Sequence, residues 1–137
     1  MLKELAKKYY SPEYDLNCAE AVVYAANEGY DLKLSKDTLR AIGGFGGGMA
    51  IEEVCGAITG AIAILGIMFV KEKAHEDEKI KDLVKELFQR FEEKLASHNC
   101  KELKECYREE EPKKCQRIVA LAADILQEII EETGDYS

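Results

Sequence analysis

The stretch Val54-Cys55-Gly56-Ala57-Ile58-Thr59-Gly60-Ala61-Ile62-Ala63-Ile64-Leu65-Gly66-Ile67-Met68-Phe69-Val70 holds 17 consecutive uncharged residues. That length lies at the lower edge of what spans a bilayer. Gly56, Thr59, Gly60 and Gly66 lower its hydrophobicity, and Glu52, Glu53, Lys71 and Lys73 close both ends with charge. A helix that is apolar on all sides is also what the centre of a helical bundle requires. The reading is a buried core helix from about Met49 to Lys73, with no membrane span.

The segments around it are helical too, and none sustains the period-2 alternation of a strand. A first helix is expected over about Lys3 to Tyr10, before Ser11-Pro12. Asn17 is placed to cap a second, from Cys18 to about Asn27 with Gly29 as its stop, and Ser35 a third, Lys36 to Ile42. The run Gly43-Gly44-Phe45-Gly46-Gly47-Gly48 interrupts the helices, since each glycine costs up to about 1 kcal/mol inside one. Ile80, Leu83, Val84, Leu87, Phe88, Phe91 and Leu95 share one face of a helix over about Asp77 to Ala96. A short piece follows at Lys101 to Tyr107, and Pro112 suits the start of a last helix reaching about Glu132. The expected fold is all-α, one domain over residues 1–137 with five to seven helices packed around the central apolar one.

A chain of 137 residues suffices for one core. Its formal charge of −8 argues against nucleic acid as a partner, because phosphate binding needs a basic face. Residues 1–70 carry 6 Lys+Arg against 9 Asp+Glu and the rest 13 against 18, so no basic tail hides in the total. The N-terminal residues lack the apolar run of a signal peptide, which places the protein in the cytoplasm. Five cysteines in a reducing compartment are thiols, ligands or catalytic pairs more readily than structural staples. The acidic surface and the lone long apolar helix allow a homodimer without requiring one.

The cysteines are the candidate functional residues. Cys18 lies on the helical face of Ala21, Val22 and Ala25. Cys55 lies one turn from Ile51, Ile58 and Thr59, and two turns after the glycine run, where help from the helix dipole is small. Cys115 begins the apolar stripe of the last helix, and Cys100, just past a helix end, can turn back toward the core. Cys106, six positions on, cannot share a helix face with Cys100. Three readings stand side by side. Free cysteine is a small hydrophobe and is often simply buried, which would leave a helical interaction protein with core cysteines. Thiol–disulfide chemistry needs a thiolate of lowered pKa beside a resolving cysteine, and Gly56 and Gly60 would let another segment come within reach of Cys55. Four thiolates would also complete a zinc site or an iron–sulfur cluster, although the C-x2–4-C knuckle usual for zinc is absent.

Asn17-Cys18-Ala19-Glu20, the glycine run before Met49, Cys55-Gly56-Ala57 with Gly60, and then Cys100 and Cys115 resemble the C-GCAxxG-C-C family over nearly the whole chain. The resemblance implies a redox-active protein whose four defining cysteines are Cys18, Cys55, Cys100 and Cys115. Some members are selenoproteins, which implies thiol-type chemistry. Split-Soret cytochromes contain a similar region associated with an iron–sulfur centre, which implies ligation. The expectation is redox chemistry on these four cysteines with an unnamed redox partner protein. Thiol–disulfide exchange, with no cofactor required, stands ahead of an iron–sulfur or other metal centre held by the same residues. Cys106 departs from the pattern.

The remaining candidates carry less. The glycine run matches no phosphate-binding motif and follows no strand, so it reads as a packed turn that lets the backbone pass close to Cys18 or Cys100. His75 and His98 read as solvated, with His98 near enough to Cys100 to tune it. Glu52 and Glu53 would raise the pKa of Cys55 if they faced it.

Overall fold

Three helices begin where the sequence supplies a side-chain cap. The Asn17 side chain accepts the Glu20 N–H at 2.9 Å, and Glu20 accepts the Asn17 N–H at 3.0 Å, so a capping box starts the helix at Cys18. Ser35 and Asn99 cap two more in the same way, each accepting from the amide three residues on. The computed structural model describes residues 1–134, so the last three positions of the expected 1–137 span lie outside the described residues. Seven α-helices result: α1 (Leu2–Tyr10), α2 (Cys18–Gly29), α3 (Lys36–Ala41), α4 (Gly56–Phe69), α5 (Lys79–Leu95), α6 (Cys100–Tyr107) and α7 (Gln116–Thr133). Among the described residues there is no strand, and the all-α class holds. An isolated antiparallel bridge joins Val54 to Asn99.

The helix α4 is shorter than expected at both ends. Residues 49–52 do not extend it, and the chain adopts left-handed backbone at Met49 (φ 63°), Ala50 (φ 67°) and Glu52 (φ 56°). The last helix is also shorter: Pro112 lies in a turn, and α7 begins at Gln116. Cys55 and Cys115 therefore stand at helix starts and not inside helices.

Packing follows the apolar stripes. The helix α4 buries Ala57, Ile58, Ala61, Ile64, Leu65 and Met68, and packs on α2, α5 and α7. It shares the centre with α7, which also touches α1 and α6 and buries Ile118, Val119, Ala122, Ile125, Leu126 and Ile129. Each of the Ile, Leu, Met and Val side chains among them contributes about 1.5–3 kcal/mol on leaving water. Arg90 fastens α5 to α7 at the surface, donating to Glu132 at 2.6 Å and to Glu86 at 2.9 Å. No helix among the described residues is long and apolar enough to cross a membrane.

The helices α2 and α4 meet backbone to backbone. A Cβ at Gly60 would lie 2.6 Å from the Ala19 carbonyl oxygen, so the two backbones meet with no side chain between them. Gly66, on the same helix, has open space where its Cβ would be. The two glycines therefore predict opposite outcomes. Gly66→Ala should stabilise the protein by about 0.5–1 kcal/mol through helix propensity alone. Gly60→Ala gains the same propensity but must push two backbones apart, which costs about 1–3 kcal/mol, so it should destabilise. Chemical denaturation of the two variants checks both signs.

Candidate functional site

Cys18, Cys55, Cys100 and Cys115 line one cleft of about 500 Å³. Each comes from a different helix, and each occupies the same place in it. Cys18 and Cys100 are the first residues of α2 and α6, and Cys55 and Cys115 are the N-cap residues of α4 and α7. Helix N-termini present unpaired N–H groups and the positive end of the helix dipole, both of which favour negative charge. The Cys55 sulfur faces the amides of Ala57 and Ile58, and the Cys18 sulfur faces those of Gly47 and Ala19. The expectation that Cys55 lies too deep in its helix for help from the dipole is thus overturned, because α4 starts seven residues later than the sequence suggested.

Glycines set the approach distances. A Cβ at Gly56 would lie 2.4 Å from Cys18 Sγ, so the sulfur rests against bare backbone beside Cys55. A Cβ at Gly48 would lie 2.7 Å from Cys100 Cβ, and Gly48 has a φ of 62°. The glycine run thus continues as a left-handed turn from Gly47 to Ala50 that passes beside Cys18 and Cys100. Cys55 and Cys100 are brought together by backbone pairing: the Cys55 N–H donates to the His98 carbonyl at 2.9 Å, and the Cys100 N–H donates to the Glu53 carbonyl.

Burial opposes the amides and outweighs them. Desolvation pushes the Cys55 thiol up to about 12, with nearby Cys18 adding to the rise. Burial also raises Cys18, where Cys115 adds to it, and Cys100, where Lys104 works against it. These three thiols rest protonated at neutral pH. Cys55 and Cys100 are only 5% and 6% exposed, whereas Cys18 and Cys115 are half-buried.

Other residues fall elsewhere. Cys106 is exposed on α6, outside the cleft. The His98 ring pairs with Glu92 and packs edge-on against Phe88, so it does not tune Cys100; its carbonyl is what the site uses. Glu52 bonds Lys104 at 3.3 Å. Tyr10, the last residue of α1, is a cleft residue that sequence reasoning missed: its Oη accepts the Cys115 N–H at 3.3 Å. Among the described residues, no group of three or more His, Cys, Asp and Glu side chains is arranged to hold a metal ion.

Gly56→Ala should disturb the sulfurs while leaving the helices in place. Its new methyl meets the Cys18 sulfur at 2.4 Å and the Phe45 carbonyl oxygen of the glycine run at 2.9 Å, whereas the methyl of Gly60→Ala meets the backbone of α2. The expected outcome is unchanged helicity by circular dichroism and a Cys18 alkylation rate changed at least about three-fold; an unchanged rate would mean that the contact is not maintained in solution.

The family model described as "Putative redox-active protein (C_GCAxxG_C_C)" matches residues 16–129. No curated protein and no solved structure matches the chain. The matched span contains all four cysteines of the cleft, the glycine run and Cys55-Gly56-Ala57 with Gly60. By that match over most of its length, the chain belongs to the C-GCAxxG-C-C family.

Proposed function

We propose that Cys18, Cys55, Cys100 and Cys115 form one redox centre that works by thiol–disulfide exchange, with Cys18 and Cys55 as the exchanging pair. The observation that carries this is the convergence of the four cysteines on one cleft from four helix N-termini. Cys18 is the more open of the pair and takes the attacking role. Its thiolate attacks a disulfide of the partner and releases one partner thiol, leaving a mixed disulfide. Cys18, bonded to the partner, cannot ionise, so no second thiolate opposes charge on Cys55. The amides of Ala57 and Ile58 favour the Cys55 thiolate, which attacks Cys18 and releases the second partner thiol. Two electrons and two protons pass to the partner disulfide.

A second reading is favoured by the sulfur environment. Four cysteines at helix N-termini, two of them facing backbone amides, suit sulfurs that carry negative charge as ligands. A metal would displace the protons that burial holds on these thiols. This reading takes the form of an iron–sulfur cluster or another thiolate-held metal centre. Cys18, Cys55, Cys100 and Cys115 would hold it, and it would supply one-electron transfer.

The two readings separate on protein purified without oxygen. Mild oxidation by a small disulfide should link Cys18 to Cys55 by peptide mapping, and Cys55→Ser should abolish that link with helicity intact. Iron and sulfide with visible absorption, lost in any one of the four Cys→Ser variants, would establish the cluster instead. Five thiols that resist oxidation in metal-free protein would sink both.

The pH dependence has a definite sign. Thiols raised above their ordinary value of 9.0 react through a minor thiolate, so oxidation of the Cys18–Cys55 pair should accelerate continuously from pH 7 to pH 10. For stability, a raised folded-state pKa means that the contribution is fully present below about pH 9 and is lost as pH rises toward 12. Stopped-flow oxidation and denaturation across that range check the two directions.

A further inference from the structure

We propose that the substrate of the cleft is a small disulfide built from an amino acid, its carboxylate held by Arg108 and its ammonium group by Asp15. The inference names the substrate class of the thiol–disulfide reading above and rests on that reading. Cys18 and Cys55 line a cleft of about 500 Å³, a volume within the range of small-molecule sites. Cys55 is buried there and Cys18 is half-buried. Exchange requires Cys18 to reach a sulfur of the substrate, so the S–S bond must enter the cleft. A small disulfide enters together with its own head groups, and the side chains around the cysteines then select among such molecules.

The charged side chains lining the same cleft are Lys104, Arg108 and Lys114 against Asp15, Glu20 and Glu111. Most of them are already engaged. Lys104 bonds Glu52 at 3.3 Å, Lys114 bonds Glu111 at 3.5 Å, and Glu20 accepts the Asn17 N–H at 3.0 Å in the capping box. Among the described residues, the Arg108 and Asp15 side chains have no ion pair or hydrogen bond, either with each other or with a third group. Arg108 is the C-cap of α6, and Asp15 belongs to the segment before α2. One unpaired cation and one unpaired anion at separate points of one cleft match the zwitterionic head of an α-amino acid. The guanidinium offers a carboxylate two parallel N–H donors, and an ammonium group brings three donors to Asp15. A ligand carrying only one sign of charge would leave either Arg108 or Asp15 facing its like. In the reaction, the Cys18 thiolate attacks one substrate sulfur and releases the first small thiolate. Cys55 then attacks Cys18 and releases the second, so the substrate S–S bond breaks and the Cys18–Cys55 bond forms. Two electrons and the two thiol protons leave the protein in two molecules of the small thiol.

Matched small disulfides separate the two head-group contacts. Cystine carries both charges on each half, cystamine lacks the carboxylates, and dithiodipropionate lacks the ammonium groups. Each oxidises the reduced full chain at neutral pH, and peptide mapping of quenched samples gives the rate of Cys18–Cys55 formation. Dividing by the rate of the same disulfide with mercaptoethanol removes intrinsic reactivity. Arg108 and Asp15 are exposed, so each contact should favour cystine by about five-fold, the upper end for an exposed ion pair. Arg108→Gln should erase the advantage over cystamine, and Asp15→Asn the advantage over dithiodipropionate. Equal normalised rates in the unsubstituted protein, or advantages that survive both substitutions, would overturn the proposal. If a variant does not fold, salt tests the unsubstituted protein instead: screening should shrink both advantages, and ratios indifferent to salt would sink the inference. Neutral hydroxyethyl disulfide reads the redox centre by itself. Where it links Cys18 to Cys55 and cystine has no advantage, only the substrate class fails. Where none of these disulfides forms the link, the thiol–disulfide reading fails and takes the substrate class with it.

Discussion

Backbone-to-backbone contact between α2 and α4 is the constraint on which the rest depends. Gly60 against the Ala19 carbonyl, and Gly56 against Cys18 Sγ, leave no room for even a methyl group between the two helices. Because both contacts lie in the first turns, the two N-termini are held side by side, with Cys18 and Cys55 at their tips. The long apolar body of α4 fixes this geometry by packing on α2, α5 and α7 together. A bulkier residue at either glycine would have to be accommodated where the cysteines sit.

Two opposed effects act on those cysteines. Amides at helix starts and in the left-handed glycine turn lower the cost of charge on sulfur, and desolvation raises it. Desolvation is the larger effect. The balance leaves Cys18, Cys55 and Cys100 protonated at neutral pH. Left-handed backbone at Met49, Ala50 and Glu52 belongs to the same compromise. It is an unfavourable conformation for non-glycine residues, held by pairing of residues 53–55 with 98–100.

The helices themselves were legible. The stripe through Leu87, Phe91 and Leu95 on α5 and the one through Ile118, Val119, Ala122, Ile125, Leu126 and Ile129 on α7 are buried as their spacing requires. Asn17 and Ser35 cap as read. The start of α4 was not legible, because Met49-Ala50-Ile51-Glu52 has good helix propensity and nothing local forbids a helix there. Long-range backbone hydrogen bonds to His98 and from Cys100 override that propensity. The start of α7 failed similarly, since Pro112 suits a helix start but stands in a turn ahead of it.

Taken by itself, the sequence determined the helical class, the apolar faces that form the core, and the four cysteines that carry the family pattern. Those properties are local, carried by residue type and by spacing at the helical period. Only the tertiary structure decided that the four sulfurs share one cleft, that each stands at a helix N-terminus, that Cys106 and the His98 ring lie outside, and that Tyr10 belongs with them. Such juxtapositions join residues as far apart as Tyr10 and Cys115. They arise from which helices touch and how closely their backbones approach, which no stretch of sequence encodes alone.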